Sequence, residues 1–326
     1  MNGVQGCQQH EQGWRHVKKR LLPLLVFMVA GPWALPAAGA ADVLAVGDPS
    51  RTYYEAFMKG FDEAGGPAGR HVVEVTNESV ARLSKQELAR FDAIVTIGSD
   101  AAQATMSLNT NVPMVNVLVS EDFADMLKER DTAIASPSTL VVMEQPVERF
   151  FELVQVSLPN RKRIGVIYGP QSYKQAPVVR EQARARGYQL VEAQISTDTE
   201  IGLALQNMVG KIDVLLALPD QVVVNPNTAK SLILDSYLHE IALIGYSHAL
   251  VKAGALMAVH STPQQFGKQA YELVADEAAR EEQHSTIQYP RYFRVAVNYQ
   301  VARALGIDLP AEEVLVDRLH KLEVKQ

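Results

Sequence analysis

Two short stretches, Gly98-Ser99-Asp100 and Pro219-Asp220-Gln221, each follow an apolar run and precede a helical one. The first would open a helix near Ala101, where free backbone N–H groups and the helix dipole favour an anion. Ser120 and Arg51 are expected near it, with Asp48, Ser50 and Tyr53 in the turn after the first strand. Ser99 and Asp100 are also ordinary N-capping residues, and capping is compatible with ligand contact. Asp220, with Gln221 beside it, is suited to take an ammonium through a charge-assisted hydrogen bond. A plain turn role prompted by Pro219 is the competing explanation. Tyr53, Tyr54, Tyr168, Tyr173 and Tyr246 all stand at or beside strand ends, where a ring can stack on a planar ligand and offer a polar handle. Ser247 and His260 also follow apolar runs and complete the set of candidate ligand-binding residues.

Other chemistries fit less well. His248 and His260 lack the spacing of a metal motif, so no metal or other cofactor is expected. Gly245-Tyr246-Ser247-His248-Ala249 has the outline of a nucleophile elbow, and Asp276 and His284 follow it. An elbow must lead straight into a long helix, however, and Lys252-Ala253-Gly254 interrupts one within a few residues. A secreted serine hydrolase is therefore the least favoured reading. Neither a phosphate-cradling loop nor a Rossmann glycine run is present.

The elements that must position these residues alternate. Apolar strands at 42–46, 72–75, 93–97 and 113–119 are separated by helical patterns at 53–64, 83–90 and from 101 onward, with 121–129 after them. The alternation then repeats: helix 146–158, strand 163–168, helix 178–187, strand 189–193, and apolar runs at 214–218, 241–244 and 255–259. Short buried strands spaced by helices indicate parallel sheets covered on both faces, whose ligands bind beyond the strand carboxyl ends. FDAIVTIGSDAA and IDVLLALPDQVV align as acid, strand and polar strand end, which suggests two similar lobes. The expected fold is α/β, two doubly wound parallel-sheet lobes joined by a hinge that the chain crosses several times. Crossings are expected near 136–142, 257–260 and 289–297. They assign 41–139 plus 258–286 to lobe one and 140–257 plus 287–326 to lobe two.

Residues 1–40 read as a cleaved signal peptide: Lys18-Lys19-Arg20, an apolar run at 21–30, and Ala38-Gly39-Ala40. The run is too short for a spanning helix, which needs about 20 residues. The only cysteine, Cys7, lies in this segment, so the remaining chain forms no disulfide. That remainder carries 27 basic and 36 acidic residues, a net charge of −9, with no basic cluster for nucleic acid. A secreted chain without disulfides is most simply periplasmic.

Five segments together carry a family likeness: GSDAAQA at 98–104, LPNRKRIGVIY at 158–168, LPDQVVV at 218–224, KAGALMAVHSTPQQFGKQAYEL at 252–273 and VAVNYQVARALGIDLP at 295–310. In order and spacing the chain resembles the ABC-transporter substrate-binding proteins of the type I periplasmic fold, in the group that includes tryptophan- and tyrosine-binding members. Such proteins often carry Gly-Thr-Pro where this chain has Gly98-Ser99-Asp100, and Pro-Asp-Asn where it has Pro219-Asp220-Gln221. The resemblance implies a monomer that closes around a small, amino acid-like and aromatic ligand and delivers it to an ABC permease in the inner membrane. A periplasmic sensor that docks to a membrane receptor shares the fold and is the alternative.

Overall fold

The structure, a computed structural model, describes residues 42–129, 138–276 and 286–324. The expected signal peptide, His284, residues 136–137 of the first expected crossing and residues 277–285 of the expected first lobe lie outside the described residues. Residues 40–326 cluster as one compact unit.

The first sheet is built by β1 (Val43–Gly47), β2 (Val72–Thr76), β3 (Ala93–Ile97), β4 (Met114–Val119), β5 (Ser138–Val142) and β11 (Thr286–Gln288), in the order β11-β5-β4-β3-β1-β2 with all pairs parallel. The second holds β6 (Arg163–Tyr168), β7 (Gln189–Gln194), β8 (Val214–Leu216), β9 (Ala242–Gly245), β10 (Met257–His260) and β12 (Arg294–Val297), in the order β12-β10-β9-β8-β6-β7. Only its β10–β12 pair is antiparallel. Strands β1, β3, β4 and β5 are buried at every position, and the first three accordingly read as continuous apolar runs. Inside the first sheet a polar ladder pins the register. The Thr96 hydroxyl donates to Asn116 Oδ1 at 2.7 Å, and Asn116 Nδ2 donates to Ser138 Oγ at 2.7 Å.

The helices that cover the first sheet include α1 (Thr52–Gly65), α2 (Asn77–Val80), α3 (Lys85–Leu88), α4 (Ser99–Met106) and α5 (Glu121–Glu129). Those around the second are α6 (Val147–Ser157), α7 (Ala176–Ala185), α8 (Ile201–Met208), α9 (Thr228–Leu238), α10 (His248–Ala253), α12 (Tyr299–Ala304) and α13 (Glu312–Glu323). Helix α11 (Pro263–Ala275) leaves β10 yet packs on the first lobe. It starts at Thr262 with a full capping box to Gln265. Its Gly267 lies against α1 so closely that a Cβ would come within 2.0 Å of Phe57 O, and Gly60 is as close to Gln264 O. Two glycines facing each other let these backbones touch.

The chain passes between sheets at 143–146, 261–262 and 289–293. The segment 138–142, expected as a crossing, is instead a buried strand, so the passage follows it. The polar Ser-Thr start of that strand hid it from an apolar-run reading. One network ties the three passages together. Gln145 Nε2 donates to Ser261 Oγ at 2.9 Å, Ser261 donates to Tyr292 O, and Arg149 Nη1 donates to Gln145 Oε1 and Pro290 O at 2.7 and 2.8 Å. Buried Arg149 also pairs with Glu323 at the end of α13.

Candidate functional site

Both sheets reverse their strand order at one place, between β1 and β3 in the first and between β6 and β8 in the second. Loops leaving such a point in opposite directions open a crevice beyond the strand carboxyl ends. A cavity of about 240 Å³ lies beyond the strand carboxyl ends, at the switch point of the second sheet and beyond β4 and β5 of the first. It takes Ser120, Glu121 and Asp122 after β4, Met143 and Glu144 after β5, and Gln171, Lys174 and Gln175 after β6. Pro219, Asp220, Gln221 and Val224 after β8 and Tyr246 after β9 complete its wall. Both lobes therefore contribute to it, and every one of these residues follows a strand end.

The structure gathers part of the expected set in this cavity: Ser120, Asp220, Gln221 and Tyr246. Asp220 lines it but is already engaged. Its side chain is buried, Oδ2 accepts from Gln171 N, Ser172 N and Ser172 Oγ at 2.8–3.0 Å, and Oδ1 accepts from Val222 N at 2.8 Å and Val223 N at 3.4 Å. A carboxylate holding five donors fastens the turn after β8 to the loop after β6 and has little left for an ammonium. The fit is tight enough that a Cβ on Gly169 would fall 2.2 Å from Asp220 Oδ1.

The other expected residues of the first lobe form a shelf next to the cavity. Gly98 caps α4 at a φ of 100°, a conformation that favours glycine, and the Tyr53 hydroxyl sits over it. Ser99 Oγ accepts from Ser120 N at 3.1 Å, and Ser120 Oγ accepts from Phe123 N at 3.2 Å. Each hydroxyl spends a lone pair on the backbone and keeps its hydrogen to donate. Asp100 is exposed on the first turn of α4. Asp48 folds back on its own turn, accepting from Ser50 N and Oγ and from Arg51 Nε, and the Ser50 bonds hold its carboxyl below the usual range. Burial raises the Tyr53 hydroxyl pKa, with Arg51 opposing and Asp48 and Asp100 adding to the rise.

Four expected residues, Tyr168, Tyr173, Ser247 and His260, do not line the cavity. Tyr168 is 1% exposed, packs in the second core and donates to Glu192 Oε1 on β7 at 2.9 Å. Burial first, then that bond, pushes its hydroxyl pKa up. Tyr173 stacks edge-on against Tyr168 with centroids 5.9 Å apart. A tyrosine at a strand end can equally point sideways to the neighbouring strand, and sequence does not distinguish the two. Ser247 caps α10, accepting from Leu250 N at 3.2 Å from an extended backbone (φ −146°, ψ 148°). That relaxed geometry is not the strained turn of a nucleophile elbow. His260 stacks on His248 with centroids 5.7 Å apart at the return passage, and its pKa is lowered by burial and then by His248. Among the described residues no cluster of His, Cys, Asp and Glu is arranged to hold a metal ion, and no helix is long and apolar enough to cross a membrane.

What sequence reasoning missed is the charge of the cavity. Glu121, Asp122 and Glu144 come from the first lobe and the passage after β5, and among the described residues of the wall they face one cation, Lys174 of the second lobe. Lys174 Nζ meets Asp122 at 2.8 Å and Asp125 at 2.6 Å, with Glu121 at 3.8 Å. Burial works against its ammonium, but the bonds to Asp122 and Asp125 raise its pKa. Gln175 Nε2 and the Tyr289 hydroxyl both donate to Glu121 at 2.7 Å, and Gln171 Nε2 donates to Asp122 at 3.1 Å. These contacts join the lobes along one rim. Glu144 accepts from Glu121 N at 3.0 Å, and its pKa is pushed up to about 7 by burial first and by Glu121 and Asp122 after it. The strand-end rule applied to β4 would have found Glu121 and Asp122, whereas Glu144 follows a strand that its polar start concealed.

The model of one protein family, the ABC transporter substrate binding proteins, matches residues 71–320. The chain belongs to that family. A tyrosine-binding protein of Clostridioides difficile is 27% identical over 208 residues, a match that spans 62% of this chain and 58% of that protein. Among solved structures, the ligand-free, open form of a substrate-binding protein with adhesive properties from Clostridium difficile is 21% identical. It covers 84% of this chain and 97% of its own, with a TM-score of 0.66. An ABC domain in complex with L-Trp from Streptococcus pneumonia is 18% identical, covering 86% of this chain and 98% of its own, with a TM-score of 0.52. These substrate-binding structures share the two-lobed fold.

Proposed function

We propose that this substrate-binding protein is exported, loses residues 1–40, and works in the periplasm as a monomer. It holds a small amino acid-like ligand, an aromatic one, between its lobes and delivers it to an ABC permease of the inner membrane. The observation that carries the reading is the cavity beyond the strand ends of both sheets, walled by Glu121, Asp122 and Glu144. Carboxylates without a matching number of cations favour a ligand that brings an ammonium group. The free hydroxyl hydrogens of Ser99 and Ser120, with Arg51 and Tyr53 on the adjoining shelf, suit the ligand's carboxylate. Tyr246, half-buried in the wall, offers a ring face to an aromatic side chain. The tyrosine-binding relative supports the same ligand class. Closure of two lobes on a hinge is the motion this fold performs around a ligand.

The test is calorimetric titration of residues 41–326 with L-tyrosine, L-tryptophan, L-leucine and D-ribose. Saturable binding of an aromatic amino acid is expected, with no heat from the sugar. Binding of the sugar alone would overturn the reading.

A further inference from the structure

Glu144 stands at an unusual place for an acid. It lies in the first passage between the lobes, one residue past Met143, and forms part of the cavity wall. Its backbone is fixed by β5 behind it and by the Gln145–Ser261–Tyr292 network ahead of it. Its carboxylate accepts the Glu121 amide hydrogen, which places it against the acidic start of α5. The groups facing it from the surrounding elements are mostly acidic. Glu121 and Asp122 come from α5, and Asp220, already saturated, lines the same cavity from the turn after β8. Lys174 reaches this cluster from the second lobe, but its short contacts go to Asp122 and Asp125. Tyr289 from the third passage gives its hydrogen to Glu121. Glu144 therefore has like charges near it and, among the described residues, no cation of its own.

We infer that Glu144 couples ligand capture to proton release: it is neutral in part of the empty protein, and an incoming ammonium displaces its proton and takes the carboxylate as partner. The inference rests on the amino acid-binding reading above and adds a specificity device to it. No covalent bond is made or broken except the Glu144 O–H, whose proton passes to solvent. A ligand that lacks an ammonium cannot supply the exchange, so the cleft would reject the deaminated analogue of its own ligand. The apparent affinity of a cationic ligand then depends on pH through the fraction of Glu144 already ionised. With a carboxyl that titrates near 7, binding should be about tenfold tighter at pH 8 than at pH 6, with roughly half a proton released per ligand at pH 7.

The experiment titrates residues 41–326 with L-tyrosine, tyramine and 3-(4-hydroxyphenyl)propionate at pH 6, 7 and 8, in buffers of different ionisation heat so that proton release is counted directly. Tyramine keeps its charge throughout, as a lysine side chain does. Tighter binding of L-tyrosine or tyramine at pH 8, proton release at pH 7, and loss of both in Glu144→Gln support the inference. Asp122→Asn, which removes a like charge, should move the pH midpoint downward. It keeps the test valid if Glu144→Gln folds poorly by circular dichroism. Binding of an amine with equal affinity at pH 6 and 8 and no proton release overturns this inference and leaves the function intact. Tighter binding of the propionate than of either amine also overturns it. If none of the three binds, the aromatic amino acid reading itself fails, and the inference with it.

Discussion

Replacing Asp220 by alanine separates two roles that the sequence leaves open for it. In the structure the carboxylate is 4% exposed and holds five donors from the loop after β6 and the turn after β8. Leaving a buried donor without a partner costs about 1–3 kcal/mol, and donors that share one acceptor are not additive. The expected loss is about 3–5 kcal/mol, the range for breaking a buried charged network. At ~2–4 °C per kcal/mol, the melting midpoint should fall by roughly 6–20 °C. Thermal unfolding of residues 41–326 followed by circular dichroism reads this, with a calorimetric titration of L-tyrosine on the same samples below the transition. The reasoning is refuted if Asp220→Ala melts within about 2 °C of the wild type while ligand affinity collapses. That result would mean the carboxylate serves the ligand and the backbone bonds are incidental.

Other outcomes follow from the same geometry. Lys174→Ala should cost no more than ~1 kcal/mol, because its partners are largely exposed, yet it removes the cation that joins the lobes at the rim. Small-angle scattering of the ligand-free protein should therefore give a larger radius of gyration than the wild type; an unchanged radius would dismiss the latch. Tyr168→Phe should destabilise by about 1–2 kcal/mol, from loss of its bond to Glu192. Ligand affinity should hold, and a marked affinity loss would put Tyr168 back at the cleft. Glu144 should show in stability without any ligand. Its carboxyl titrates near 7 in the folded protein against an ordinary 4.5. Below pH 4.5 both states hold the proton; between 4.5 and 7 the unfolded chain gives it up first, so the wild type loses stability as pH rises. Relative to Glu144→Gln, the deficit should grow to at most about 3 kcal/mol and level off above pH 7. Melting both proteins from pH 4 to 8 checks the sign, and a deficit that grows toward acid would contradict it.

The doubly wound layers were legible because buried parallel strands are apolar at every position and helices separate them, as β1, β3 and β4 illustrate. Strand β5 escaped because Ser138 and Thr139 sit inside the sheet, with Ser138 on the Asn116 ladder that sequence does not reveal. β11 has three residues and no fully buried position, too little for a periodicity to register. At the site, the crevice rule led to Ser120, Asp220, Gln221 and Tyr246, all of which line the cavity. It did not say which way a side chain points or how many donors already hold it. Tyr168 points to Glu192 on the neighbouring strand, and Asp220 already holds five donors. The charge of the cleft was hidden for a different reason: Lys174 and Asp122 are far apart in sequence and meet only across the lobes.

One measurement reaches the central claim most directly. The two tryptophans, Trp14 and Trp33, both lie in the first 40 residues, so residues 41–326 carry none. Free L-tryptophan excited at its own wavelength then reports binding with no background from the protein. Titrated with residues 41–326, its anisotropy should rise to saturation and fall back when L-tyrosine is added, and Glu144→Gln should weaken the effect at pH 8. A flat anisotropy at millimolar protein, together with no displacement heat from L-tyrosine, would contradict an aromatic amino acid in the interlobe cleft.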